Sequence, residues 1–280
     1  MDFLKKLETA WTETRSMVCV GLDPRMDRLP ASIRSGKEPF YRFNREIIEA
    51  TRVHACAYKL QFACYAAENR VPELRRTIAF LKEVAPELPV ILDAKRGDIG
   101  STAEQYAREA FEVLRADAVT VNPYMGGDTL EPFTRWAAKG VVVLCKTSNP
   151  GSADLQDLVL ASGNPLYLEV ARKAAAEWNR ADNLCLVAGA TYPDELARIR
   201  AVVGRMPLLV PGIGAQGGDL AATLRAGLRE DGWGLLINSS RGIIHASSGD
   251  DFATAAAGAA RELREACLAI QGEQGEGKPA

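Results

Sequence analysis

The chain has 280 residues, 47% of them hydrophobic, which is enough for a sizeable core in one large α/β domain or two small ones and too much for a disordered chain. Its 34 Lys and Arg stand against 36 Asp and Glu, and a net charge of -2 supplies no general field to draw nucleic acid or an anionic membrane, so any anion binding must be local.

Residues 1–15 mix charges with apolar residues at helical spacing, which is not the layout of a secretory signal. Eight short runs rich in Val, Ile and Leu follow, at 17–22, 55–60, 90–94, 118–121, 141–145, 184–187, 208–210 and 235–237. Most lack the polar alternation of a one-sided sheet, as expected of parallel strands covered on both faces. Between and after them lie segments of helical periodicity at 40–50, 73–84, 101–114, 128–138, 165–178, 194–203, 219–226 and 251–269. In 101–114 the stripe is Ala103, Tyr106, Ala107, Ala110, Phe111 and Leu114. Strand-then-helix units in this number over one chain predict a closed (β/α)8 barrel, a TIM barrel, rather than an open doubly wound sheet. The barrel is expected to occupy 1–269 as a single domain, with 270–280, rich in Gly, Glu, Gln and Lys, a disordered, solvated tail.

The cysteines, Cys19, Cys56, Cys64, Cys145, Cys185 and Cys267, show no C-x-x-C spacing and read as buried free thiols, which suits a reducing cytoplasm. No window approaches a membrane span, and no His, Cys and carboxylate cluster has metal spacing. His54 and His245 read as ordinary polar positions, Arg96 as a solvated neighbour of the third strand's exit, and Tyr58 and Phe62 as packing residues.

In such a barrel the chemistry sits at the C-terminal ends of the strands and in the loops just after them. The third run ends in Asp93-Ala94-Lys95-Arg96-Gly97-Asp98-Ile99. Asp93 and Lys95 are two apart, so strand alternation predicts both on the inner side of the mouth. Lys59, inward from the neighbouring strand, would complete a run of alternating charges and lower the cost of burying each. Taken as residues alone, these charges read either as a catalytic group or as an ion-pair network closing the mouth. The loop after the seventh strand carries Gly212, Gly214, Gly217 and Gly218 around Gln216, and the eighth strand leads to Arg241. Together they suit a phosphate, bound by backbone N–H groups and a guanidinium; the plainer reading is glycine turns with a surface arginine.

The string from Asp93 to Ile99, with Thr102 following, resembles the D-x-K-x-x-D-I-x-x-T signature of orotidine 5'-phosphate decarboxylases. The likeness spans nearly the whole barrel. It includes Asp23 in V-G-L-D-P, Lys59, Ser148 in T-S-N-P-G-S, the V-A-G-A-T stretch ending at Thr191, and P-G-I-G-A-Q-G-G-D from Pro211 to Asp219. D-x-K-x-x-D alone is shared with related sugar-phosphate barrels; its combination with the downstream glycine loop is specific.

The resemblance implies decarboxylation of orotidine 5'-phosphate to uridine 5'-phosphate, the last step of de novo pyrimidine nucleotide synthesis, without cofactor or metal. It makes Lys95 the group that stabilises and protonates the carbanion at carbon 6, with Asp93 and Lys59 holding it. It implies a homodimer, with Asp98 and Thr102 entering the partner's site. Asp23 and Lys59 would contact the ribose hydroxyls, Ser148 the pyrimidine amide edge, and Gln216 and Arg241 the phosphate, with Pro211 lining the pocket. Two positions depart from the family pattern. Lys146-Thr147 precedes Ser148 where many members carry a hydrophobic residue, and N-S-S-R-G-I after the eighth strand resembles the longer bacterial branch. Two other readings stay open: a sugar-phosphate decarboxylase or aldolase of the same barrel group using magnesium, and a catalytically silent barrel that binds a nucleotide.

Overall fold

The computed structural model describes residues 1–213 and 218–276. Eight strands, β1 (Val18–Gly21), β2 (Ala57–Gln61), β3 (Val90–Arg96), β4 (Ala118–Val121), β5 (Gly140–Lys146), β6 (Leu184–Ala188), β7 (Leu208–Pro211) and β8 (Leu235–Ser239), pair in parallel and in chain order. β8 returns to β1 through Val18↔Ile237, Cys19↔Asn238 and Val20↔Ser239, closing the expected barrel. Each strand falls within two residues of its apolar run. β-branched and leucine side chains fill both faces, one toward the barrel interior and one under the helices, as parallel strands require.

One end of the barrel is sealed by the helix Phe3–Thr14. Asp2 caps it by accepting Lys5 N–H at 2.8 Å, and Phe3, Leu7, Ala10 and Trp11 form its buried stripe. Phe3 stands against Gly140 at the start of β5, where an added Cβ would lie 2.3 Å from its ring, so only glycine leaves room for this plug. Charges pin the helix at two further points. Lys6 Nζ donates to Asp117 at 3.0 Å beside the start of β4, and Glu8 accepts from Arg229 at 2.6 Å, whose guanidinium lies over the Trp11 ring. A depression of about 860 Å³ runs along this end, and Arg229 in its lining is already paired with Glu8 and Asp231.

Two expectations need correction. The single helix expected over 128–138 is instead a short turn at Gly127–Thr129 and one helical turn at Glu131–Thr134. Asn183 explains the stop: its amide donates to the carbonyls of Thr134, Trp136 and Lys139 at 3.0, 3.3 and 2.9 Å, turning the chain toward β5. At the C-terminus the expected tail is helical through Glu276, because helix Phe252–Glu276 continues past residue 269. Ile270 packs against the core and Gln271 donates to Gly232 O at 2.7 Å, so this turn has tertiary partners that its composition does not announce. Residues 277–280 lie outside the described residues.

Candidate active site

The opposite end of the barrel opens into a cavity of about 550 Å³ lined by the strand exits. At its floor Asp93, with its side chain 9% exposed, accepts Lys59 Nζ at 2.9 Å on one oxygen and Lys95 Nζ at 2.7 Å on the other. Lys59 also approaches Asp23 at 3.7 Å, so one buried ammonium is shared between two carboxylates. Burial works against charge on both groups and is overcome in both. Lys59 is raised above the ordinary lysine range by Asp23 and Asp93, and Asp93 is held well below the carboxylate range by Lys59 and Lys95. The floor is therefore a fixed array of full charges, with the half-exposed Lys95 facing the cavity.

Asp93 and Lys95 do meet, but not by simple alternation. Leu92 pairs with Val119 and Arg96 with Val121, so β3 spends four steps where β4 spends two. Lys95 sits in the resulting bulge with φ 47°, in the left-handed region. The displaced amides of Ala94 and Lys95 donate to Thr120 Oγ1 at 3.0 and 2.9 Å, and the same hydroxyl donates to Asp93 Oδ1 at 2.9 Å.

The other expected residues divide into three groups. Asp23, Ser148, Pro211 and Arg241 line the same cavity as Lys59, Asp93 and Lys95. Arg241 is exposed there and makes no ion pair among the described residues. Asp98 and Thr102 lie off the cavity: Asp98 accepts its neighbour Ile99's N–H at 2.8 Å, and Thr102 is exposed in the first turn of helix Gly100–Arg108. Gln216, with Gly214 and Gly217, lies outside the described residues.

The unusual Lys146 does not displace Ser148. Its ammonium is buried against Asp157 Oδ1 at 2.5 Å and stands 4.5 Å from the centre of the Tyr192 ring, leaving Ser148 at the cavity wall. Arg96 is not a solvated neighbour. Its guanidinium lies between the rings of Phe62 and Tyr106 at 4.5 and 4.7 Å and pairs with Glu109 at 2.7 Å. His245 stacks on Phe43, and Tyr58 packs inward with its hydroxyl 2.8 Å from Thr51 Oγ1.

Sequence reasoning passed over three residues at the floor. Gln61 donates to Asp93 Oδ2 at 3.2 Å, Ser240 donates to Asp23 Oδ2 at 2.6 Å, and Thr120 takes part as above. Two had signals. Gln61 is two positions from Lys59 on the same strand face, and Thr120 is the lone polar residue of an apolar run, where a buried hydroxyl needs a partner.

The model of the orotidine 5'-phosphate decarboxylase / HUMPS family matches residues 16–257. A curated orotidine 5'-phosphate decarboxylase of Bordetella pertussis is 51% identical over 272 residues, covering 97% of this chain and 100% of that one. The solved structure of Leishmania donovani OMP decarboxylase superposes with a TM-score of 0.84 at 42% identity, covering 97% of this chain and 99% of that one. The structure of Leishmania donovani UMP synthase superposes at 0.86 with 44% identity, but the chain spans only 57% of that longer protein. A match across the whole barrel, including every strand exit described above, leaves one assignment: the chain belongs to the orotidine 5'-phosphate decarboxylase / HUMPS family.

Proposed function

We propose that the chain decarboxylates orotidine 5'-phosphate to uridine 5'-phosphate in the cytoplasm, without cofactor or metal. The observation that carries this reading is the Lys59–Asp93–Lys95 array at the floor of a cavity of nucleotide size, in a chain half identical to a curated decarboxylase along its length. Breaking the bond from carbon 6 to the carboxylate leaves an electron pair on carbon 6 with no adjacent carbonyl to spread it. Stabilisation then has to be electrostatic, from charge already in place before the reaction begins. The ammonium of Lys95 supplies that charge and delivers the proton to carbon 6 as carbon dioxide departs. Asp93, ionised and unable to turn away from two lysines, aims it. Asp23 and Lys59 serve the ribose and Ser148 the base, with Pro211 lining the pocket, and Arg241 with Gln216 grips the phosphate. Binding energy from that remote phosphate supports turnover as well as affinity.

The active form is a homodimer in which Asp98 and Thr102 complete the partner's site. Support comes from their position off their own cavity, with the exposed side chain of Ile99 next to Asp98 and exposed Met125 against Gly97.

The deciding test is loss of orotidine 5'-phosphate absorbance with purified protein in excess chelator. Metal-independent turnover supports the reading; turnover only with added magnesium, or none, overturns it. For the shared site, inactive Lys95→Ala and Asp98→Ala chains are mixed. If Asp98 acts across the interface, a mixed dimer holds one intact site and activity returns; if it acts within its own chain, neither site is intact and activity stays absent.

A further inference from the structure

We infer that Thr120 is a positioning residue for Lys95, holding both ends of that lysine through one hydroxyl; the inference rests on the decarboxylase reading above. A threonine hydroxyl has one proton and two lone pairs. Here all three are committed. The lone pairs accept the N–H groups of Ala94 and Lys95 at 3.0 and 2.9 Å, which leaves the proton only one direction, toward Asp93 Oδ1 at 2.9 Å. That same oxygen accepts Lys95 Nζ at 2.7 Å. A closed ring results: Lys95 amide to Thr120 hydroxyl, hydroxyl to Asp93, Asp93 back to the Lys95 ammonium.

The ring answers a backbone problem. The bulge in β3 removes Ala94 and Lys95 from the ladder with β4, and Lys95 sits at φ 47°, which a long L side chain adopts only when held. Thr120, 1% exposed on β4, supplies with its side chain the acceptor that the ladder no longer offers. It fixes where the lysine's main chain leaves the strand and, through Asp93, where its ammonium stops. A hydrogen bond to an ionised carboxylate is stronger than one to a neutral carboxyl, so the hydroxyl also favours the charged Asp93 on which the aim depends.

The experiment compares wild type, Thr120→Val and Thr120→Ser as full chains. Valine keeps the volume and removes the hydroxyl; serine restores the hydroxyl without the methyl. A misaimed catalytic group costs roughly 10- to 100-fold in rate. The expected result is a fall of about that size in kcat for Thr120→Val with KM and uridine 5'-phosphate affinity within about twofold, and recovery to near wild type in Thr120→Ser. A Thr120→Val kcat equal to wild type, or a loss that Thr120→Ser shares, overturns the assignment. If wild type itself does not turn over orotidine 5'-phosphate, the decarboxylase reading fails. The crystal structure of Thr120→Val then decides the remainder: a displaced Lys95 backbone supports the clamp, and an unchanged left-handed Lys95 overturns it.

Discussion

The hydroxyl of Ser240 stands directly over Gly21. A Cβ on that glycine would lie 1.8 Å from Ser240 Oγ, and the same Oγ donates to Asp23 Oδ2 at 2.6 Å. The closure of β8 on β1 and the aim of Asp23 are therefore one packing problem. Gly21→Ala is expected to push Ser240 off Asp23. Losing a hydrogen bond to a charged group is worth about 1.5–3 kcal/mol, so KM for orotidine 5'-phosphate should rise roughly 10-fold or more. Steady-state kinetics measure it; an unchanged KM would detach Gly21 from the ribose subsite.

Lys95→Ala removes the half-exposed ammonium of the charged floor. Loss of a preorganised electrostatic group costs at least roughly 10²–10³-fold in kcat. Single-turnover assays should show that loss, while calorimetry still detects uridine 5'-phosphate binding through the ribose and phosphate groups. Substantial residual turnover would sink the role given to Lys95.

Lys146 and Asp157 should respond unequally to mutation. Lys146 is 1% exposed and Asp157 39%, so Asp157→Asn strands a buried cation while Lys146→Met leaves a carboxylate that water can reach. Stranding a buried charge costs about 3–5 kcal/mol, against under about 1.5 kcal/mol for a well-packed apolar replacement. Thermal melts should therefore rank Asp157→Asn well below Lys146→Met. The reverse order would mean that Tyr192 alone suffices for the cation.

The acid limb of stability has two windows. Burial disfavours charge on Asp117, but Lys6 and Lys82 hold it below the carboxylate range. Its contribution is complete above the unfolded value near ~3.9 and drains as pH falls below it. His245 is lowered chiefly by burial and by nearby Arg28, so it favours the neutral ring; its contribution is complete above ~6.5 and is lost as pH falls from there. Melting temperatures from pH 3 to 8 should show Asp117→Asn flattening the lower window and His245→Phe the upper. A His245→Phe curve parallel to wild type between about pH 5 and 6.5 would refute the second assignment.

Much of this molecule was legible in its sequence because parallel strands buried on both faces read as unbroken apolar runs. Barrel closure then places their ends together. The charged floor was legible for the same reason: Lys59, Asp93 and Lys95 are ionised residues at strand exits, where burial demands partners. What the sequence hides is geometry created by departures from regularity. Alternation predicts that Asp93 and Lys95 meet, yet they do so across a bulge that no local pattern announces, repaired by a threonine from the next strand. The stop after Thr134 depends on Asn183, 49 positions away, and Arg96 on rings from two different helices. Each is a long-range side-chain contact, and periodicity carries no information about those.

The helix Phe3–Thr14 closes the barrel at the end away from the charged floor. Folding and chemistry are thereby assigned to separate poles, and natural variation can act on them independently. Changes at Phe3, Lys6, Glu8 or Arg229 should alter how much folded protein a cell accumulates, and changes at the floor how fast each molecule works. A growth-based selection would score both as the same defect. Extra expression would rescue the first kind and leave a chain lacking Lys95 as inert as before.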